Sequence, residues 1–252
     1  MKMFEDNKAP RNAADIISEL FVEFKEVEAG PVSQYVSPSG LGCQVSIAWK
    51  LKGAPTTPQK ESFQSRGFAE AGEDRHKRIQ EFLSKTPYWV DVEEYIKAKK
   101  LTDLEVVRHD GYEVLLVSKK YQARFKLDGM LFIEGHYYVL EIKTERQAAN
   151  SYRTGPADKH QKQGIAYTLM LDTERILWIY EGRDFLEQKP FVQYVTKEDK
   201  SGLDKYIIDA ITHQDEPEKL ERDTKGCAYC QFKNYCKMYF KELEKRLKLG
   251  GK

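Results

Sequence analysis

The stretch that decides the fold is Tyr137-Tyr138-Val139-Leu140-Glu141-Ile142-Lys143. It is β-prone. Side chains alternate across a strand, so Glu141 and Lys143 share one face while Leu140 and Ile142 take the other. A carboxylate and an ammonium therefore sit side by side on an otherwise apolar strand. Glu134-Gly135-His136 lies just before it and reads as a hairpin turn. Pairing across that turn brings Asp128, on the preceding strand, near Glu141. Two converging carboxylates can hold a hard divalent cation through oxygen ligands. A neighbouring lysine can orient a water or help to deprotonate it. Glu-x-Lys on a strand face is also an ordinary solvated pair, so its meaning depends on its surroundings.

Working outward, the segment from Leu104 to Thr144 reads as a meander of largely antiparallel strands: 105–107, 112–117, 123–133 and 137–143, with Asp110-Gly111 as a second turn. On the N-terminal side, Ala13 to Val27 carries Ile16, Ile17, Leu20, Phe21 and Phe24 at helical spacing. A short helix from Leu41 to Lys50 is expected to hold Cys43. Gly53 to Pro58 reads as a loop. Phe63 to Leu83 reads as a long helix with Phe68, Ile79, Phe82 and Leu83 as its apolar positions and His76 among them. On the C-terminal side, a polar linker (150–156) leads to a helix from Ala157 to Leu171. That helix places Gln163 and Tyr167 on one face at i, i+4. Strands at 176–180 and 191–195 follow. The basic stretch from Lys237 to Lys248 reads as a solvated amphipathic helix. The expectation is a mixed α/β fold with one central sheet flanked by helices. It is a single domain over 1–252, with an N-terminal helical region at about 10–100 and a C-terminal cysteine-rich helical region at about 199–248.

The 252 residues carry 41 Lys and Arg against 40 Asp and Glu, a net charge of +1. That balance excludes a strongly basic protein that coats nucleic acid, but leaves room for a local cationic groove. No stretch approaches the roughly 18 apolar residues of a membrane-spanning helix. Met1 to Pro10 lacks the apolar core of a secretory signal. A reducing cytoplasm is the expected location, that of a bacterium or a phage-infected host, with no membrane partner. There the four cysteines are metal ligands or free thiols. Cys227, Cys230 and Cys236 are spaced Cys-x2-Cys-x5-Cys, and Cys43 lies far upstream. Four thiolates suit tetrahedral zinc or an iron–sulfur cluster.

The set His76, Asp128, Glu141-Ile142-Lys143 and Gln163-x-x-x-Tyr167 resembles the RecB-like PD-(D/E)XK nucleases, with the elements in the family's order. Leu127, not proline, precedes Asp128. The resemblance implies a restriction-endonuclease-like core and hydrolysis of DNA phosphodiesters with Mg2+ or Mn2+. It implies that His76, Asp128, Glu141 and the Ile142 carbonyl hold the metal, that Lys143 is the catalytic lysine, and that Gln163 and Tyr167 support the site. One cysteine before the core and three after it, with Ser39-Gly40-Leu41-Gly42 leading into Cys43, resemble the iron–sulfur branch of these nucleases. That branch includes the CRISPR-associated Cas exonucleases and the AddB nuclease domain. It implies a largely structural [4Fe–4S] cluster on Cys43, Cys227, Cys230 and Cys236, stapling the N- and C-terminal regions, with zinc as the runner-up. The resemblance covers roughly residues 36–240.

A nuclease needs a cationic path to phosphates. Candidate contacts are Lys119, Lys120, Arg124, Lys126, Arg146, Lys162 and above all Arg153 and Lys159. Tyr152 and the Tyr121 region are candidates for stacking on single-stranded bases. No Gly-x4-Gly-Lys-Ser/Thr phosphate loop is present, so ATP-driven unwinding would need a helicase partner. At this length the chain resembles stand-alone nucleases of CRISPR adaptation or of bacteriophages. The expected function is a metal-dependent exonuclease on single-stranded DNA ends. The alternatives are a non-catalytic DNA-binding or complex-forming subunit in CRISPR adaptation or recombination, a structure-specific endonuclease, and a zinc-stabilised scaffold.

Overall fold

A computed structural model describes residues 33–224 and 226–250, together with 18, 19, 21, 23 and 25–27. The expected helix from Ala13 to Val27 lies largely outside the described residues, and its last three residues are instead strand β1 (Lys25–Val27), paired antiparallel with β2 (Gln59–Glu61). Strands β3 (Leu104–Asp110), β4 (Glu113–Ser118) and β5 (Ala123–Leu127) form an antiparallel sheet in that order. Strands β6 (Gly129–Ile133), β7 (His136–Glu145), β8 (Arg175–Gly182) and β9 (Gln188–Tyr194) form a second sheet, also in sequence order. The second sheet is mixed, because β7 and β8 run parallel while the outer pairs are antiparallel.

The fold is thus α/β with mixed sheets, but the expected single central sheet and the single strand over 123–133 are both corrected. The chain changes sheets at Asp128. Two features cause the break. The Asp128 carboxylate accepts the Ile142 amide at 2.7 Å. Gly129 lies so close to the Trp89 indole that a Cβ there would meet Cη2 at 2.4 Å. A buried cluster nevertheless runs through both sheets, from Leu116, Phe125 and Leu127 to Val139, Ile176, Trp178 and Tyr180.

Seven helices are described: α1 (Gln44–Leu51), α2 (Phe63–Ser84), α3 (Val92–Lys99), α4 (Gln147–Ser151), α5 (Asp158–Met170), α6 (Lys197–Thr212) and α7 (Lys233–Gly250). The segment expected as a polar linker after Asn150 begins inside α4. Helix α2 starts with a capping box, in which the Ser62 hydroxyl accepts the Ser65 amide and the Ser65 hydroxyl accepts the Ser62 amide. It packs Ile79 and Leu83 on Leu140, Ile142 and Ile179 of the second sheet. Phe68 and Phe82, read as apolar-face positions, are exposed. Most of α2 is polar, so the contact stripe is narrow, and Phe68 instead carries the Arg183 guanidinium over its ring. Helix α5 covers the opposite face through Ala166 and Tyr167, with Gly164 closely apposed to Ile176 and Trp178.

Cys43 is the N-cap of α1 and is not inside that helix. Beside it, Trp49 packs edge-on to Tyr235 and Tyr239 of α7, with both ring centroids 4.9 Å away. Phe232 is buried in the same cluster. The basic stretch of α7 is therefore helical, as expected, with its aromatic residues turned to α1. Among the described residues no helix is long and apolar enough to cross a membrane.

Replacing Gly129 with Ala forces a methyl against the partly buried Trp89 ring. It should lower unfolding stability by about 1–3 kcal/mol, read from urea midpoints; an unchanged midpoint would remove Trp89 as the reason for a glycine at the sheet junction.

Candidate metal centre

Register decides what surrounds Asp128. Gly129 pairs with Leu140, the last step of the β6–β7 ladder, so Asp128 faces the stretch of β7 that β6 does not cover. Its Oδ2 takes the Ile142 amide in place of a strand carbonyl. Gln80 of α2 donates to the Asp128 carbonyl at 2.9 Å. Oδ1 lies 3.7 Å from His76 Nδ1. One step along β7, Glu141 Oε1 accepts from Lys143 Nζ at 2.6 Å and from Gln163 Nε2 at 2.7 Å. Gln163 also donates to the Tyr167 hydroxyl at 3.0 Å, and that hydroxyl donates to the Lys126 carbonyl at 3.3 Å. The residues singled out in the sequence are thus brought to one neighbourhood from α2, the sheet junction, β7 and α5, but Glu141 is not within mutual ligand distance of His76 and Asp128.

Both carboxylates are buried, Asp128 at 7% and Glu141 at 4% exposure. Burial, and then the charge of Asp128, push the Glu141 carboxyl up to about 7, with Lys143 and His76 pulling the other way. For His76, burial lowers the imidazole, but the hydrogen bond and charge of Asp128 and the charge of Glu141 outweigh it and leave the pKa raised. Burial, then the Glu141 and Asp128 charges, raise Tyr167 well above its usual range. Two buried acids beside an imidazole make a region of concentrated negative potential that favours a cation.

His76 is held there from the far side of α2. Glu181, fully buried on β8, receives Arg75 at 3.5 Å and forms a close pair with Arg78. Arg75 also donates to the Arg183 carbonyl at 2.8 Å. These bonds lock α2 on the sheet one residue from His76. The spacing of Arg75 and Arg78 in α2 gives no sign of this, because their partner lies more than a hundred residues away.

Glu113 is a residue that the sequence reading missed. A ligand atom from each of His76, Glu113 and Asp128 lies within 4.8 Å of the other two. Its position beside the Asp110-Gly111 turn offered no signal, since it reaches the site from the other sheet.

The expected DNA contacts divide. Lys159 and Tyr152 are exposed, Tyr152 at 87%. Arg153 is engaged within the chain: its guanidinium forms a two-pronged pair with Glu145 and lies 4.1 Å over the Tyr180 ring. Tyr121 is buried and donates to Asp204 at 2.6 Å, so its ring is not open for stacking. Lys120 binds the same Asp204 at 2.6 Å.

All four cysteines line one cavity of about 630 Å³ between α1 and the start of α7. They are unpaired as disulfides. Burial raises the Cys230 and Cys236 thiols, and the nearby cysteines raise them further. Among the described residues Trp49 Nε1 is buried with no partner at normal hydrogen-bond geometry. It still lowers the Cys236 thiol against the larger effect of burial. Four thiols around one cavity, with a spare N–H donor beside Cys236, suit a thiolate-bound metal group in donor chemistry, although no three of the sulfurs lie within 4.8 Å of one another.

No protein-family model matches the sequence, and no curated protein matches it. Among solved structures, one described as the crystal structure of SSO0001 aligns over 81% of this chain and 87% of that one, at 15% identity and a TM-score of 0.39. The likeness is distant.

His160 of α5 stacks on Trp178 and Tyr180 of β8 beside Lys143. Tyr180 Oη accepts the Ala157 amide at 3.0 Å and lies 2.8 Å from His160 Nδ1, an arrangement that suits a neutral imidazole. Burial, then the charges of Lys143, Lys159 and Arg153, lower His160 to about 4. The unfolded chain protonates near 6.5 and the folded one does not, so His160 costs stability progressively as pH falls from 6.5 towards 4. His160→Gln should flatten that part of the stability profile, and the wild-type imidazole should titrate below 5 by NMR. A His160 titration near 6.5 would contradict the stacked, neutral assignment.

Proposed function

We propose that the chain is a Mg2+- or Mn2+-dependent DNA exonuclease that acts on single-stranded ends, within the RecB-like PD-(D/E)XK group. The observation that carries the reading is His76 facing Asp128 at the sheet junction, with the paired Glu141 and Lys143 close by on β7. Two carboxylates, an imidazole and the Ile142 carbonyl are donors of the kind a hard divalent cation takes. When bound, such a cation would supply a Lewis acid for a phosphoryl oxygen and lower the pKa of an attacking water. Glu141 is held in place by Gln163 and Lys143. Lys143 Nζ, anchored to Glu141, can donate to a phosphate oxygen or orient the water at the metal side of the strand. Asp128 is oriented by the Ile142 amide, and His76 by the attachment of α2 to Glu181.

Lys159 on α5 and Tyr152 at the C-terminal end of α4 are the exposed residues that would meet a nucleic-acid strand, while Lys162 lies 4.6 Å over the Tyr206 ring. Cys43, Cys227, Cys230 and Cys236 would hold a [4Fe–4S] cluster that fastens α1 to the C-terminal segment. The reading places the chain in a cytoplasm, working with a helicase, recombinase or CRISPR-adaptation partner.

Asp128→Ala, Glu141→Ala and Lys143→Ala should each reduce Mn2+-dependent digestion of end-labelled single-stranded DNA by at least about 10²-fold, with the protein still folded. Cleavage retained in all three would overturn the site. Binding without cleavage by the unaltered protein would favour a non-catalytic DNA-binding subunit. A separate outcome tests the cysteines: the purified protein should be brown with iron and sulfide, and Cys43→Ser or Cys227→Ser should bleach it and lower its melting temperature. A colourless protein with one equivalent of zinc would replace the cluster with zinc.

A further inference from the structure

Glu113 opens β4, in the sheet that does not contain Glu141, yet its carboxylate, His76 and Asp128 present ligand atoms mutually within 4.8 Å. Ligands about 2.1 Å from one octahedral ion lie about 3 Å apart when adjacent and about 4.2 Å when opposite. The three groups therefore span a distance that one cation can bridge with small side-chain movements. Asp128 takes part from the oxygen side facing His76, while its other oxygen is engaged by the Ile142 amide.

In the structure Glu113 is paired with Lys126 Nζ at 2.7 Å. That ammonium also lies 3.1 Å from Asp110 Oδ2. Asp110 and Glu113 flank the Gly111-Tyr112 turn of the β3–β4 hairpin, so Lys126 has a second carboxylate partner already in reach. Glu113 can leave Lys126 without stranding a charge.

We propose that Glu113 is a ligand of the divalent cation. It exchanges its pairing with Lys126 for the metal, while Lys126 remains on Asp110. The inference rests on reading His76 and Asp128 as a cation site and adds a ligand from the second sheet. Its consequence is structural as well as chemical. The cation joins α2, the sheet junction and β4, so that cation binding fastens the three-stranded sheet to the four-stranded one.

The test is Mn2+ titration of the full chain, reading free Mn2+ by electron paramagnetic resonance, with melting temperatures taken with and without Mn2+. Glu113→Gln should weaken Mn2+ binding by about tenfold or more and shrink the Mn2+-induced rise in melting temperature. Asp110→Asn keeps the ligand but removes the carboxylate that holds Lys126 once Glu113 leaves, so its loss of Mn2+ affinity should be smaller than that of Glu113→Gln. Glu113→Asp, which keeps the carboxylate, should bind Mn2+ more tightly than Glu113→Gln, and it serves if the glutamine variant fails to fold. Wild-type affinity in Glu113→Gln, or equal losses in Glu113→Gln and Asp110→Asn, would overturn the inference. If Asp128→Asn also left Mn2+ binding intact, the cation site itself would fall; loss in Asp128→Asn with none in Glu113→Gln would overturn the Glu113 role alone.

Discussion

The hydrogen bond from the Ile142 amide to the Asp128 carboxylate is the contact on which the arrangement depends. β7 continues past the end of β6, and a strand that loses its neighbour leaves backbone donors to be satisfied. A side-chain carboxylate answers that need here. The same bond draws Asp128 out of any strand pairing, so β5 and β6 part at this residue and enter different sheets. A negative charge is thereby buried at the seam of two sheets, one step along from the buried Glu141.

Burying two acids side by side is unfavourable unless something compensates them. Lys143 and Gln163 satisfy one oxygen of Glu141, and His76 faces Asp128. Burial, and then the Asp128 charge, raise Glu141, while the Asp128 hydrogen bond and the Asp128 and Glu141 charges raise His76 against its burial. The surrounding frame is stiff. Helix α2 is fixed to Glu181 by two arginines, and α5 is fixed by its contact with Ile176, Trp178 and Tyr180. A polar group held this firmly by helices on both faces of a sheet is poised to bind a ligand with little rearrangement.

Much of this centre is legible in the sequence because it obeys local periodicity. Strand alternation puts Glu141 and Lys143 on one face, a helical i, i+4 step joins Gln163 to Tyr167, and the Glu134-Gly135 hairpin brings Asp128 back towards Glu141. What escapes is set by tertiary contacts. The run from Ala123 alternates through Phe125 and Leu127, and the one local sign of the break is Asp128-Gly129, an Asp-Gly pair like that of the Asp110-Gly111 turn. Glu113 joins the site only because two sheets abut. Arg153 reads as a free cation until Glu145 and Tyr180 are seen to hold it, and Tyr121 reads as an open ring until Asp204 does. Phe68 and Phe82 fit a helical stripe, yet α2 touches the sheet along too narrow a line to bury them. The cysteine spacing likewise indicates a shared site, but not that Trp49, from α1, lies beside Cys236.

The central claim is that the sheet junction at Asp128 is a divalent-cation site. Anomalous diffraction from crystals soaked in Mn2+ tests it most directly. The account predicts a manganese peak bonded to the Asp128 carboxylate and within ligand distance of His76. Well-ordered crystals at saturating Mn2+ with no peak at Asp128 would contradict it.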